Sequence, residues 1–110
     1  MNPTHPSDRV TPARRQMLEA ILHLGYGRFE NVPVRGGDPI LDPPTRIVQV
    51  VKCSPGNNGR RYPLTVEALV HTPEVQALFA QFDDVTDGVI DVIQFQNGLP
   101  FLVEIVGLPG

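Results

Sequence analysis

Glu30 and Asp91 are the two carboxylates whose placement invites chemistry, because they hold the same position in two stretches of the chain, 11–41 and 72–102, that align without a gap at an offset of 61 residues. An axis relating the two stretches would bring them together, and converging carboxylates can pass a proton or share a cation. The plainer reading is a solvated strand residue beside a sheet edge, where charge discourages pairing with another chain. No partner group in the sequence lifts the first reading above the second. A second candidate is the loop 54–63, Ser-Pro-Gly-Asn-Asn-Gly-Arg-Arg-Tyr-Pro. The backbone donors around Asn57 and Asn58, the guanidinium groups of Arg60 and Arg61 and the ring of Tyr62 could cradle a phosphate or grip a nucleic-acid backbone. The loop lacks the Lys-Ser/Thr ending of a P-loop, so a simple connection is the competing reading. Arg14 and Arg15 fall in the first turns of a helix, where positive charge opposes the helix dipole. With Arg9, Arg60 and Arg61 they would make a basic patch if the loop folds back, against the ordinary reading of a solvated face.

The remaining reactive residue types do not form patterns. His5, His23 and His71 have no metal-ligand spacing among themselves or with Cys53. Cys53, following a run of valines, reads as a small buried hydrophobe. The sequence holds no Gly-x-Ser-x-Gly, Gly-x-Gly-x-x-Gly or His-Glu-x-x-His motif. No catalytic residue, no metal ligand and no cofactor site is therefore assigned, and the speculative binding set is Arg14, Arg15, Asn57, Asn58, Arg60, Arg61 and Tyr62.

The elements that would position these residues are written in the sequence twice. Thr11-Pro12 and Thr72-Pro73 are each an N-cap hydroxyl followed by proline at the first helical position. Met17, Leu18, Ile21, Leu22 and Leu24 form one apolar stripe, and Val75, Leu78, Phe79 and Phe82 another. The first helix should stop at Gly25 and the second near 83–87. After Gly27 the period becomes two, with Val32 and Val34 on one face and Arg28 and Glu30 continuing that face. Gly36-Gly37 and Asn97-Gly98 suit type I′ hairpin turns. The nearly all-apolar return strand 101–106 should be central or covered on both faces. Between the two stretches, Asp42-Pro43-Pro44 breaks a strand, 46–52 is β-branched enough to be another, with a short helix as the alternative, and 64–70 suits a short helix.

Composition narrows the class. The chain has 110 residues, 41% hydrophobic and 19% charged, with 12 Pro and 10 Gly, which suits one turn-rich domain over 11–110 behind a flexible tail at 1–10. The tail has no apolar stretch of the secretory-signal kind, and no apolar run approaches the roughly 20 residues of a membrane span. One cysteine gives no intramolecular disulfide, so the cytoplasm is the default compartment. A net charge of −3 gives no global attraction to nucleic acid.

The stretch 21–41, with Gly25-Tyr26-Gly27-Arg28-Phe29, Val32-Pro33-Val34 and Gly37 ahead of a return strand, resembles the small uncharacterised bacterial proteins of the YezD type. The second stretch, from Asp87-Gly88-Val89-Ile90 through Asn97-Gly98-Leu99-Pro100, is similar. The resemblance implies a helix-plus-hairpin unit, present twice, and carries over no functional residue. Pro33 and Pro39 depart from a plain hairpin pattern, and 42–71 lies outside the match.

The expectation is an α+β domain in which two αββ units, 11–41 and 72–102, surround one antiparallel sheet of about five strands with helices on one face. The expected function is that of a non-enzymatic bacterial interaction or accessory module that binds itself or another protein through a sheet edge or a sheet face bearing Phe29, Ile90 and Val92. The alternative is a nucleic-acid-binding or regulatory protein using Arg14, Arg15, Arg60 and Arg61.

Overall fold

The computed structural model describes residues 10–51, 53 and 65–106. In chain order the elements are α1 (Pro12–Leu24), β1 (Gly27–Arg35), β2 (Asp38–Pro39), β3 (Arg46–Gln49), α2 (Val66–Val70), α3 (Pro73–Val85), β4 (Asp87–Gln96) and β5 (Leu99–Glu104). The loop residues 54–63 lie outside the described residues.

Local chemistry sets the ends of both long helices. The Thr11 hydroxyl accepts the Arg14 amide and the Thr72 hydroxyl accepts the Val75 amide, each at 3.2 Å, with proline next in the chain. These caps satisfy amides that the first helical turn leaves without a partner. At the other ends, Gly25 (φ 78°) and Thr86 (φ 58°) turn the chain out of the helix, their amides donating to the carbonyls of Ile21 and Phe82. Two positive-φ pairs, Gly36-Gly37 and Asn97-Gly98, make the hairpin turns.

The sheet is antiparallel, in the order β2-β1-β4-β5, with β3 lying on β1 on the same side as β2. Its centre is the β1–β4 ladder, which runs from Gly27 opposite Phe95 to Arg35 opposite Asp87. Gly27 faces Phe95 and Val34 faces Gly88, so the ladder reads alike from either end when one strand is renumbered by 61. Its two ends are closed by reciprocal bonds. The Gly37 amide donates to the Thr86 carbonyl at 2.9 Å, and the Gly98 amide donates to the Gly25 carbonyl at 3.0 Å. Likewise the Gly36 amide donates to Asp87 Oδ1, and the Tyr26 hydroxyl donates to Asn97 Oδ1. Each hairpin turn is thus tied to the end of the helix from the other half.

One face of the sheet carries the core. Phe29, Val32, Val34, Ile90, Ile93 and Phe95 are buried with Met17, Leu18 and Ile21 of α1 and Leu78, Phe79 and Phe82 of α3. Fully burying such side chains stabilises by about 1.5–3 kcal/mol each before conformational entropy is set against it.

Three sequence expectations are corrected. Arg28 and Glu30 do not share the face of Val32 and Val34. Gly27 and Phe29 do, because Asn31 at φ 57° shifts the side-chain alternation by one residue midway along β1. Phe29 and Ile90 belong to the core, and Val92 is half-buried, so they form no open binding face. The apolar strand β5 is not central. Among the described residues it is the last strand on one side of the sheet, with Phe101 53% exposed.

The caps at Gly25 and Thr86 generate a reciprocal prediction. A β-branched residue at positive φ is strained, by about 1–3 kcal/mol, whereas glycine is at ease there. Thr86→Gly should raise thermal stability by about 1 kcal/mol after the entropy of the new glycine, and Gly25→Thr should lower it by about 1–3 kcal/mol. Paired thermal melts of the two variants check the signs.

Candidate interaction edges

Among the described residues, the side chains singled out above do not gather into a reactive site. Glu30 is engaged by Arg28, whose Nε lies 2.7 Å from Oε2, and by Arg46, whose Nη1 lies 3.5 Å from Oε1. The Arg28 hydrogen bond holds the Glu30 carboxyl below its usual range, the wrong direction for a general acid. Asp91 is occupied elsewhere, its Oδ2 accepting the Val106 amide at 2.7 Å. Among the described residues no three His, Cys, Asp or Glu side chains could hold a metal ion. Cys53 is exposed, a correction to its reading as a buried hydrophobe. No helix among the described residues is long and apolar enough to cross a membrane.

Arg14 and Arg15 are consecutive in sequence and opposite in fate. Arg14 is fully buried, its Nη2 2.7 Å from Asp83 Oδ1 and 2.8 Å from the Gly37 carbonyl, with the guanidinium 4.9 Å above the Phe79 ring. That guanidinium faces the protein interior and joins α1, α3 and the first hairpin turn. Arg15 is on the surface, 3.0 Å from Glu67 and 3.3 Å from Glu19. Asn57, Asn58, Arg60, Arg61 and Tyr62 lie outside the described residues.

Among the described residues, the sheet's two lateral edges are open. Among the described residues, β5 pairs only with β4, and β3 pairs only with β1. Unpaired strand edges present amide and carbonyl groups that template further pairing, and charge or proline usually blunts them. Here one charge stands on each edge strand, Arg46 on β3 and Glu104 on β5, and the exposed residues beside them are mostly apolar. Phe101, Leu102, Ile105 and Val106 are exposed on or just beyond β5, and Ile47, Val50 and Val51 on or just beyond β3. Beside β5 runs a groove of about 620 Å³, walled by Ala77, Leu78 and Gln81 of α3 and by Phe101 and Val103. Phe101 reaches this position because a bulge in β5 removes it from the ladder with β4.

Charge divides along the chain in the same way as the edges. All nine Lys and Arg residues lie at or before Arg61, while residues 62–110 hold seven Asp and Glu and no Lys or Arg. In sequence β5 therefore belongs to a stretch with no basic residue, while the residues 10–51 that include β3 hold five Arg and four Asp and Glu. Overall net charge hides this split. The positions of the lysines and arginines along the chain were the sequence signal that could have revealed it.

No protein-family model matches the chain, and comparisons with curated proteins and with solved structures find no match either.

Arg14 and Asp83 yield the prediction of this section. Removing one member of a buried ion pair costs about 3–5 kcal/mol when the other charge is left stranded. Arg14 keeps the Gly37 carbonyl and has Asp38 at 3.9 Å, and Asp83 is a quarter exposed, so Asp83→Ala should cost less, about 1–3 kcal/mol in urea unfolding, whereas Asp84→Ala, exposed next to it, should stay within about 0.5 kcal/mol of the parent.

Proposed function

We propose that this protein is a small non-enzymatic interaction module, built from two copies of an αββ unit, that works through the open edges of its sheet. The observation carrying the reading is that both lateral strands, β3 and β5, expose apolar residues beside unpaired backbone, with no other strand on them among the described residues. Strand addition uses such an edge directly: main-chain bonds supply affinity, and side-chain pockets like the groove against α3 supply selectivity. The duplicated unit is supported by the matching caps, the ladder that reads alike from both ends and the reciprocal turn-to-cap bonds. Binding of nucleic acid through Arg14, Arg15, Arg60 and Arg61 has less behind it. Arg14 is committed to Asp83 and Arg15 to two carboxylates.

Lysine on an edge strand blocks strand addition without disturbing the core. The double variant Ile47→Lys, Leu102→Lys should melt within a few degrees of the parent, because both positions are exposed. Light scattering and cross-linked retrieval from the source cells should then show that the parent associates, with itself or with a partner, and that the variant does not. A monomeric parent that retrieves nothing beyond what the variant retrieves would sink the reading.

A further inference from the structure

Four strands cross the middle of the sheet side by side, and their registers align residues into rows. One row is Arg46, Glu30, Val92 and Glu104; the next is Ile47, Phe29, Ile93 and Val103; the third is Val48, Arg28, Gln94 and Leu102. Every row begins on the β3 edge and ends on the β5 edge. The first begins with a cation, 70% exposed in its side chain, and ends with an exposed carboxylate. The other two begin and end with apolar residues.

From this alignment we infer that the occupant of each edge is a second copy of the chain, joined head to tail, with β5 of one copy paired antiparallel to β3 of the next. The inference rests on the interaction-module reading and names its partner. Strand direction allows the contact. β3 and β4 run opposite to β1, and β5 runs with β1, so a copy shifted sideways along the sheet sets its β3 antiparallel to the first copy's β5. Four strands per row is an even number, so the alternation of hydrogen-bonded and non-hydrogen-bonded pairs continues across the junction. Continuing the rows sets Glu104 against Arg46 of the next copy, Val103 against Ile47 and Leu102 against Val48. Each is a favourable cross-strand pair, and the side-chain faces agree, so the core sides of neighbouring copies lie on the same side of the joined sheet.

Charge selects this arrangement over its main rival. A twofold pairing of β5 with β5, centred on Leu102, would set Glu104 against Pro100 and bring two acidic halves together. The head-to-tail contact instead sets Glu104 against the exposed Arg46. A head-to-tail contact does not stop at two copies, since each addition leaves the same edges open, and it ends only when the rotation closes a ring.

Charge reversal tests the inference on the whole chain. Glu104→Arg opposes Arg46 of the next copy, and Arg46→Glu opposes Glu104 of the preceding one, so each variant alone should self-associate about tenfold more weakly than the parent. Mixed in equal amounts, the two variants present opposite charges at every junction, and association should return. Sedimentation across a concentration series reads this, with circular dichroism showing that each variant is folded. The parent's average mass should rise beyond that of a dimer. Because Arg46→Glu also removes a partner of Glu30, the Glu104→Arg arm and the recovery on mixing carry the test if the other variant unfolds when alone. A parent that stops at a dimer indifferent to both reversals would overturn the inference in favour of the β5–β5 pairing. A monomeric parent that still captures another protein, with capture lost in the lysine edge variant, would overturn it while leaving the interaction-module reading standing.

Discussion

The β1–β4 ladder is the constraint on which the rest of the molecule depends. It pairs residues more than 50 positions apart in sequence, so forming it closes a long loop and sets the position of both hairpins at once. Once Gly27 faces Phe95 and Val34 faces Gly88, Phe29 lies across from Ile93 and Val32 across from Ile90. The two helices then have a single apolar face to cover. The turn-to-cap bonds follow from the same register, because only this alignment brings Gly37 to Thr86 and Gly98 to Gly25 together.

The same ladder explains why, among the described residues, the sheet is open at its sides. A central pair of long strands can accept one neighbour on each flank. On the β4 flank, β5 is continuous over six residues. On the β1 flank, β2 ends after two residues and β3 takes over along the other half of β1. The two flanks therefore differ in residue content although the strands they pack on are alike. The substitution of β3 for a longer β2 brings Arg46 to the rim, and the continuous β5 brings Glu104 there. The lateral asymmetry is what makes one edge complementary to the other.

What the sequence disclosed and what it withheld divide by range. Caps, helix stripes and hairpin turns depend on residues a few positions apart, and Thr11-Pro12, Thr72-Pro73 and Asn97-Gly98 announced their structures directly. The β-branched run 46–52, for which a short helix was the alternative, forms a strand over Arg46–Gln49, and the segment 64–70 forms a helix over Val66–Val70. The side of β1 taken by Glu30 was not legible, because the left-handed turn at Asn31 costs little for asparagine and leaves no period of its own. The burial of Arg14 was not legible either, since its partner Asp83 is 69 residues away and joins it only when α1 and α3 share the core. The edge position of β5 was misread for a more instructive reason. An apolar strand has the same composition whether it is central or at a sheet's side, and here Phe101, Leu102, Ile105 and Val106 are exposed while Val103 packs on the core.

Amide hydrogen exchange measured at low and high protein concentration tests the account most directly, because it reads the edges themselves. Head-to-tail pairing predicts that slowing of exchange with concentration is confined to Arg46 to Val48 and Leu102 to Glu104, while the central ladder between β1 and β4 is protected equally at both concentrations. If exchange at both edges is fast and independent of concentration, or if protection grows on the helices instead, strand addition at the sheet edges is contradicted.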